Sequence, residues 1–483
     1  MKKTAARYLA MGVLTLSLFL SFCKNSSDGG KKPPIVTAVT PSCNCETDWF
    51  PHSQTPAPSE GKGSPFDTSS TTNCIFHQWS WQKFLWLTKP LPSGNPLFLD
   101  SMIQVSNQMV PVAPVGGISL VLEDTSQAGG GGVLVSNPAY GQDKSGHTVY
   151  YSIFINSVLQ NSANTMKAAI LKNNQLLNND FVFPVGSLEL KISWIDQAAL
   201  PASEAGKYFT TTAIIQPGNK KTTVALLGMH VVGVVQNHPE FIWATFEHHD
   251  MAPSYDWKAT TTQDVPVTST SDKLFFAKGY SATWQDIQYG GKSAPQNVFT
   301  VYKLGIPRIA KDSFMTVSQS EPINFDNITG LNACVAANVK DVWQNYFYNG
   351  SLWINTDGLT PQQQADTIVS LAGNIGSGVP GSIARGCLGA FNITMETYMQ
   401  VFGPITQMNA STLNNCFGCH NAPANISLSS SAPTASASTY NSPLYLSHIF
   451  RSYLSVSSGV PINKIEQLRT KDFIETLALK KAR

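Results

Sequence analysis

Met229-His230-Val231-Val232-Gly233 and then His238-Pro239-Glu240-Phe241-Ile242-Trp243-Ala244-Thr245-Phe246-Glu247-His248-His249-Asp250 is the stretch on which the fold turns. Read as a strand, its second part puts Glu240, Ile242, Ala244 and Phe246 on one face. Phe241, Trp243, Thr245 and Glu247 then share the other. Both faces carry large apolar groups, the pattern of a strand buried on two sides. Similar β-branched and aromatic runs occur at 118–122, 148–155, 188–195, 209–215, 223–235 and 273–276, bounded by Gly, Pro and Asn. Residues 157–172 read as the one helix among them. This predicts a β-rich domain, sandwich-like or barrel-like. The glycine run 129–132 reads as a turn, because no Lys-Ser/Thr pair follows it as in a phosphate loop.

The same stretch brings His230, His238, His248 and His249 close in sequence to Glu240, Glu247 and Asp250. Those residue types can build a metal or catalytic site, although no metal-specific spacing is present. The plainer reading is polar residues at strand ends.

Before this region, Cys74-Ile-Phe-His-Gln-Trp-Ser-Trp-Gln-Lys-Phe-Leu-Trp-Leu87 has Phe76, Trp79, Phe84, Trp86 and Leu87 at helical spacing. It predicts an amphipathic helix with an aromatic face, and a structural role for His77. After it, 326–331 reads as a turn. Residues 333–348, 360–371, 393–402 and 462–480 read as helices, with Met395, Met399 and Phe402 on one face of the third. Residues 427–442 are a low-complexity Ser/Ala/Thr segment.

Cys416-Phe417-Gly418-Cys419-His420 carries the most definite chemistry. Cys-x-x-Cys-His is the attachment signature of c-type haem: two thiols reach the two vinyl groups of one porphyrin, and the adjoining imidazole ligates the iron. A structural zinc site or a dithiol redox pair can use the same cysteines. A dithiol needs a helix N-terminus, and Asn421-Ala-Pro-Ala-Asn425 does not read as a helix.

Lys2, Lys3 and Arg7 precede an apolar run from Leu9 to Phe22, the pattern of a secretory signal (residues 1–22) too short for a membrane span. It ends in Leu20-Ser21-Phe22-Cys23, which resembles a bacterial lipobox and makes Cys23 the candidate lipidation site. Phe22 departs from that pattern, where a small residue is usual. Loss of this segment turns a net charge of +2 into −1, so no strong field draws the chain to a partner and no basic stripe marks a nucleic-acid binder. Export fits haem attachment and permits disulfides. Of eight cysteines, Cys43, Cys45, Cys74, Cys334 and Cys387 remain for pairing, and spacing does not fix the partners. Residues 23–70, rich in Pro, Ser, Gly and Thr, read as a tether from the lipid, with Cys43 and Cys45 as points that can pin it to the body.

The motif and the export signal resemble bacterial c-type cytochromes. Four blocks resemble more specifically a group of bacterial cytochrome c family proteins: the 74–87 segment; 238–248; Thr394-Met-Glu-Thr-Tyr-Met-Gln400; and 416–420 together with Leu446-Ser-His-Ile449. The resemblance implies one covalent haem c with its iron, and a large accessory domain. It supplies no substrate. Small cytochromes of this kind take a downstream Met as second iron ligand, but no Met follows Met408, and His448 is the only histidine after His420. The candidate iron ligands are therefore His420 and His448, with Met395, Met399 or His230 as alternatives and an open position as a third case.

The resulting expectation is an α+β chain: a β-rich N-terminal domain (71–325) followed by a mainly helical, cytochrome c-like haem-binding region (326–483). The expected function is an exported, lipid-anchored monohaem electron carrier in the cell envelope, serving a redox partner protein. The alternative is a haem-dependent oxidoreductase, of oxygenase or peroxidase type, with an open iron position.

Overall fold

The structure is a computed structural model that describes residues 43–126, 133–173, 177, 181–253, 267–282, 321–370, 384–386, 392–396, 416–426 and 438–456. Its centre is one nine-stranded sheet: β1 (Ile103–Val105), β2 (Val121–Leu122), β3 (Val149–Ile155), β4 (Leu188–Asp196), β5 (Thr210–Ile215), β6 (Lys220–Val235), β7 (His238–His248), β10 (Tyr346–Ile354) and β11 (Ala384–Gly386). The order is β1-β3-β4-β6-β7-β10-β11; β5 pairs with the first residues of β6 and, in parallel, with β2. The other pairings in the sheet are antiparallel. Two short hairpins lie apart from it, β8 (Val267–Thr268) with β9 (Ser281–Ala282), and β12 (Pro423–Ile426) with β13 (Ser438–Asn441). The helices are α1 (Asn73–Thr88), α2 (Leu97–Ser101), α3 (Ser157–Asn173), α4 (Glu321–Asn338), α5 (Pro361–Ser370), α6 (Cys416–Cys419) and α7 (His448–Val456).

The β6–β7 hairpin is the spine of the sheet. Asn237 turns it with φ 63°, a conformation Asn tolerates better than most residues, and its side chain is tied to the Phe66 carbonyl at 3.0 Å. Every residue of β7 is buried. Phe246 faces α1, stacking on Phe84 at 4.1 Å and 14° and meeting Trp81 at 5.1 Å. Gly233 of β6 points the same way, directly under Trp79. Trp243, three residues from Phe246, points to the opposite face.

The expected split into a β-rich part and a mainly helical, cytochrome c-like part is corrected. β10 and β11 come from the second half of the chain and add to the same sheet. Residues 346–348, expected at the end of a helix, begin a strand buried along its whole length. Tyr-Phe-Tyr and Leu-Trp-Ile suit a pleated, two-sided environment, and Gly350 (φ 132°) admits the bulge between them. The helix α4 starts earlier than expected and takes in the 326–331 segment read as a turn. α1 is less amphipathic than expected: Phe76, Trp79, Trp81, Phe84, Leu85 and Leu87 are all buried, as is Lys83, whose ammonium meets Glu60 at 2.7 Å.

Residues 43–70 lie against this body. Trp49 and Phe66 are buried, and the disulfides Cys43–Cys74 and Cys45–Cys334 join the segment to α1 and α4. Cys23, Cys387, the glycine run 129–132 and the expected helix 462–480 fall outside the described residues.

The tight approach of α1 to the sheet is directly testable. A Cβ at Gly233 would sit 2.8 Å from Trp79 Cζ2, and the indole is held in place by its 2.7 Å hydrogen bond to Glu60. Gly233→Ala is therefore expected to cost about 1–3 kcal/mol in denaturant unfolding, and less in a Trp79→Phe background, because the clash is with the larger ring.

Candidate functional site

The 416–420 motif lies on the sheet face opposite α1. α6 is a single turn, closed by His420 N–H donating to the Cys416 carbonyl at 2.7 Å. The β12–β13 hairpin follows, with Ser442 N–H bonded to the Ala422 carbonyl, and it returns the chain beside the motif. Residues 443–446 then form a buried 3-10 turn capped by the Ser442 hydroxyl, and α7 begins at His448. Residues 26 apart in sequence are thereby brought into contact.

His420 is fixed from three sides. Its Nδ1–H donates to the Leu446 carbonyl at 2.8 Å, which leaves Nε2 with its lone pair. Its ring lies 4.2 Å from Trp243, tilted by 42°, and 3.7 Å from His448, stacked at 17°. Burial, with the nearby His448, Arg451 and Lys191, holds its pKa well below the usual histidine range, so the imidazole is neutral at physiological pH. Phe417 is fully buried and meets Trp243 edge-on at 6.2 Å. Leu446 and Ile449 add apolar surface.

This donor set fits an axial haem histidine. A ligating imidazole is ordinarily neutral, with its second nitrogen bonded to a carbonyl or carboxylate that sets ring orientation and tautomer. His448, the expected second ligand, does reach His420, but ring on ring. Among the alternatives, Met395 is buried in a separate cluster with Ile393 and Leu227. His230 is bonded to Glu396 at 2.6 Å. Met399 lies outside the described residues. Among the described residues no group of three or more His, Cys, Asp or Glu side chains is arranged to hold a metal ion.

The histidines of the 230–250 stretch are distributed rather than gathered. His238 and His248 occupy opposite ends of β7, roughly 30 Å apart along an extended strand. His248 is stacked on Tyr208 at 3.6 Å, and its pKa falls to about 3, chiefly through burial. His249 lies against Phe347. Glu247 accepts from Ile393 N–H at 3.0 Å. Sequence proximity suggested one site; strand geometry separates it into several structural contacts. His77 is a buried partner of the Tyr348 hydroxyl at 2.7 Å. Two contributors were not read from sequence, Trp243 as the floor under His420 and the Leu446 carbonyl as its anchor. The outward face of Trp243 was visible in the strand alternation, but its partner was not.

No known protein family, curated protein or solved structure matches this chain.

His238 sits in a buried ionic group. Its Nδ1 is 2.9 Å from Glu240 Oε1 and its Nε2 is 3.5 Å from Asp357 Oδ1. Asp357 also accepts from the Thr71 amide and hydroxyl. Burial alone lowers the His238 pKa, but the charges and hydrogen bonds of Glu240 and Asp357 outweigh it and push the value up to about 9. A folded pKa above the unfolded value of 6.5 gives stabilisation that is complete below about pH 6.5 and disappears as pH rises through about 9. The size is on the order of 3 kcal/mol. Urea midpoints should therefore fall between pH 6.5 and 9 in the wild type and stay comparatively flat in His238→Gln. Equal slopes in the two proteins would rule out His238 as the source.

Proposed function

We propose that this chain is an exported monohaem c-type cytochrome that carries electrons. The observation that carries the reading is the His420 constellation within Cys-x-x-Cys-His: Nδ1–H donated to Leu446, Nε2 left as a lone pair, and a neutral ring on an aromatic floor. Cys416 and Cys419 are the residues for thioether attachment and His420 for the iron. When bound, haem supplies a one-electron iron couple. Trp243, Phe417, Leu446 and Ile449 set apolar surface around the half-buried imidazole, and the Leu446 carbonyl holds its orientation.

Attachment of this kind requires an extracytoplasmic compartment, in line with the signal-like residues 1–22 and the two disulfides. We place the protein in the bacterial cell envelope, periplasmic or at the surface, held at a membrane by lipid on Cys23. No helix among the described residues is long and apolar enough to cross a membrane. Its partner in this reading is a redox protein.

A second reading, a haem-dependent oxidoreductase with an open iron position, is favoured by one observation. His448 stacks ring on ring with His420. Carbon monoxide separates the two: rapid stoichiometric binding to the reduced protein favours the enzyme, and no binding favours the six-coordinate carrier.

The main test is maturation of the full chain in a haem-attaching host. We expect a Soret band and haem that stays with the polypeptide under denaturing conditions. Both should vanish in the double variant Cys416→Ser, Cys419→Ser. His420→Ala should keep the thioether-bound haem but lose the wild-type spin-state signature. A wild-type protein without a Soret band would end the haem reading.

A further inference from the structure

Glu189 is the one acidic residue of β4 on the face that carries the motif. It pairs in register with Val232, and two residues along, Lys191 pairs with His230. Its Oε2 accepts a hydrogen bond from Ser447 Oγ at 2.9 Å. Ser447 lies between the two residues that hold His420: Leu446, whose carbonyl receives the Nδ1 proton, and His448, whose ring covers the imidazole. A sheet carboxylate is thus bonded to the middle of the segment that orients the candidate ligand.

The position suits a group that responds to charge. The carboxylate is partly buried, so water screens it less than it screens surface acids. The charged and titratable groups around it are Lys191 on its own strand, His230 on β6, His420 at the motif, and His448 and Arg451 on α7. α3, which also packs on β4, brings Lys167, whose ammonium lies over the Tyr453 ring. Burial raises the Glu189 pKa to about 7, against the lowering effect of the Ser447 hydrogen bond and the Lys191 charge. Both protonation states are populated near neutrality, and a change of one charge nearby shifts the balance between them.

We propose that Glu189 couples proton uptake to electron uptake at this site; the inference rests on the haem reading above. Glu189 binds one proton from solvent when one electron, delivered by a one-electron donor protein, lowers the charge of the group held at His420 by one. It returns the proton when a one-electron acceptor protein removes that electron. One electron and one proton enter and leave together, and no other bond is made or broken. The carboxylate is favoured while the neighbouring charge is more positive, and the neutral acid once that charge has fallen.

The experiment is potentiometric titration of the haem-loaded full chain from pH 5 to 9, with covalent haem content measured on the same samples. In the wild type the midpoint potential should fall with pH around neutrality, with a slope rising toward about 59 mV per tenfold change in proton concentration. Glu189→Gln retains an acceptor for Ser447 and should give a flat profile with an unchanged spectrum. In infrared difference spectra, a protonated-carboxyl band should appear on reduction of the wild type and be missing from the variant. A flat wild-type profile, or an undiminished slope in Glu189→Gln, overturns the proposal while leaving the haem reading intact. A wild type without covalent haem overturns the haem reading itself.

Discussion

Two-sided burial of the β6–β7 hairpin is the constraint on which the remaining structure depends. A strand with large apolar groups on both faces cannot leave either in water: each exposed Phe, Trp or Leu forgoes roughly 1.5–3 kcal/mol. One face is covered by α1, where Phe84 and Trp81 meet Phe246 and Trp79 closes over Gly233. The other carries α3, packed against β4, and is otherwise covered from far along the chain. Segments from the last hundred residues cover it: 392–396, 416–420 and 443–454. The motif is therefore part of the covering layer of the sheet and not the nucleus of a separate helical unit.

Polar groups fix how that layer is seated. Asn392 reaches the Phe246 carbonyl at 2.9 Å, and Gly228 leaves room for it where any Cβ would collide. The Glu247 carboxylate takes Ile393 N–H, and Ser193 shares a hydrogen bond with Thr394 at 2.6 Å. Glu189 does the same for Ser447. Buried donors and acceptors left unpaired cost about 1–3 kcal/mol each, so these pairings select one registration of the C-terminal segments over others that would bury as much apolar surface. The His420–Leu446 hydrogen bond belongs to this set, and ring orientation at the motif is inherited from the packing of the layer.

Much of the fold was legible because its signals are local. β3, β4, β6, β7 and α3 each announce themselves by period and composition, and they begin within a few residues of the expected positions. β10 was not legible as a strand. Its Tyr-Phe-Tyr start continues a helical-looking run from Ala333, and only pairing with β7, about a hundred residues away, makes it extended. The motif was equally visible, because Cys-x-x-Cys-His is written in five consecutive residues. Its surroundings were not: Trp243 lies 177 positions before His420, and nothing in either segment points to the other. The histidine cluster failed for the opposite reason. Nearness in sequence along an extended strand becomes distance in space, which placed His238 and His248 in unrelated environments.

The arrangement also bears on how the Cys-x-x-Cys-His motif sits on a sheet instead of in a helical fold. A rigid strand pair presents side chains at fixed spacing, so Lys191, Glu189 and Trp243 hold their positions relative to one another whatever the covering segments do. The covering segments supply His420 and its Leu446 anchor. Charged side chains then reside in the sheet and the imidazole in the layer above it, joined through the Glu189–Ser447 hydrogen bond. A substitution on β4 can alter the charge felt at His420 without touching the imidazole, whereas one at 446–448 alters the imidazole's orientation directly. That division makes charge effects and orientation effects on the imidazole experimentally separable at this site.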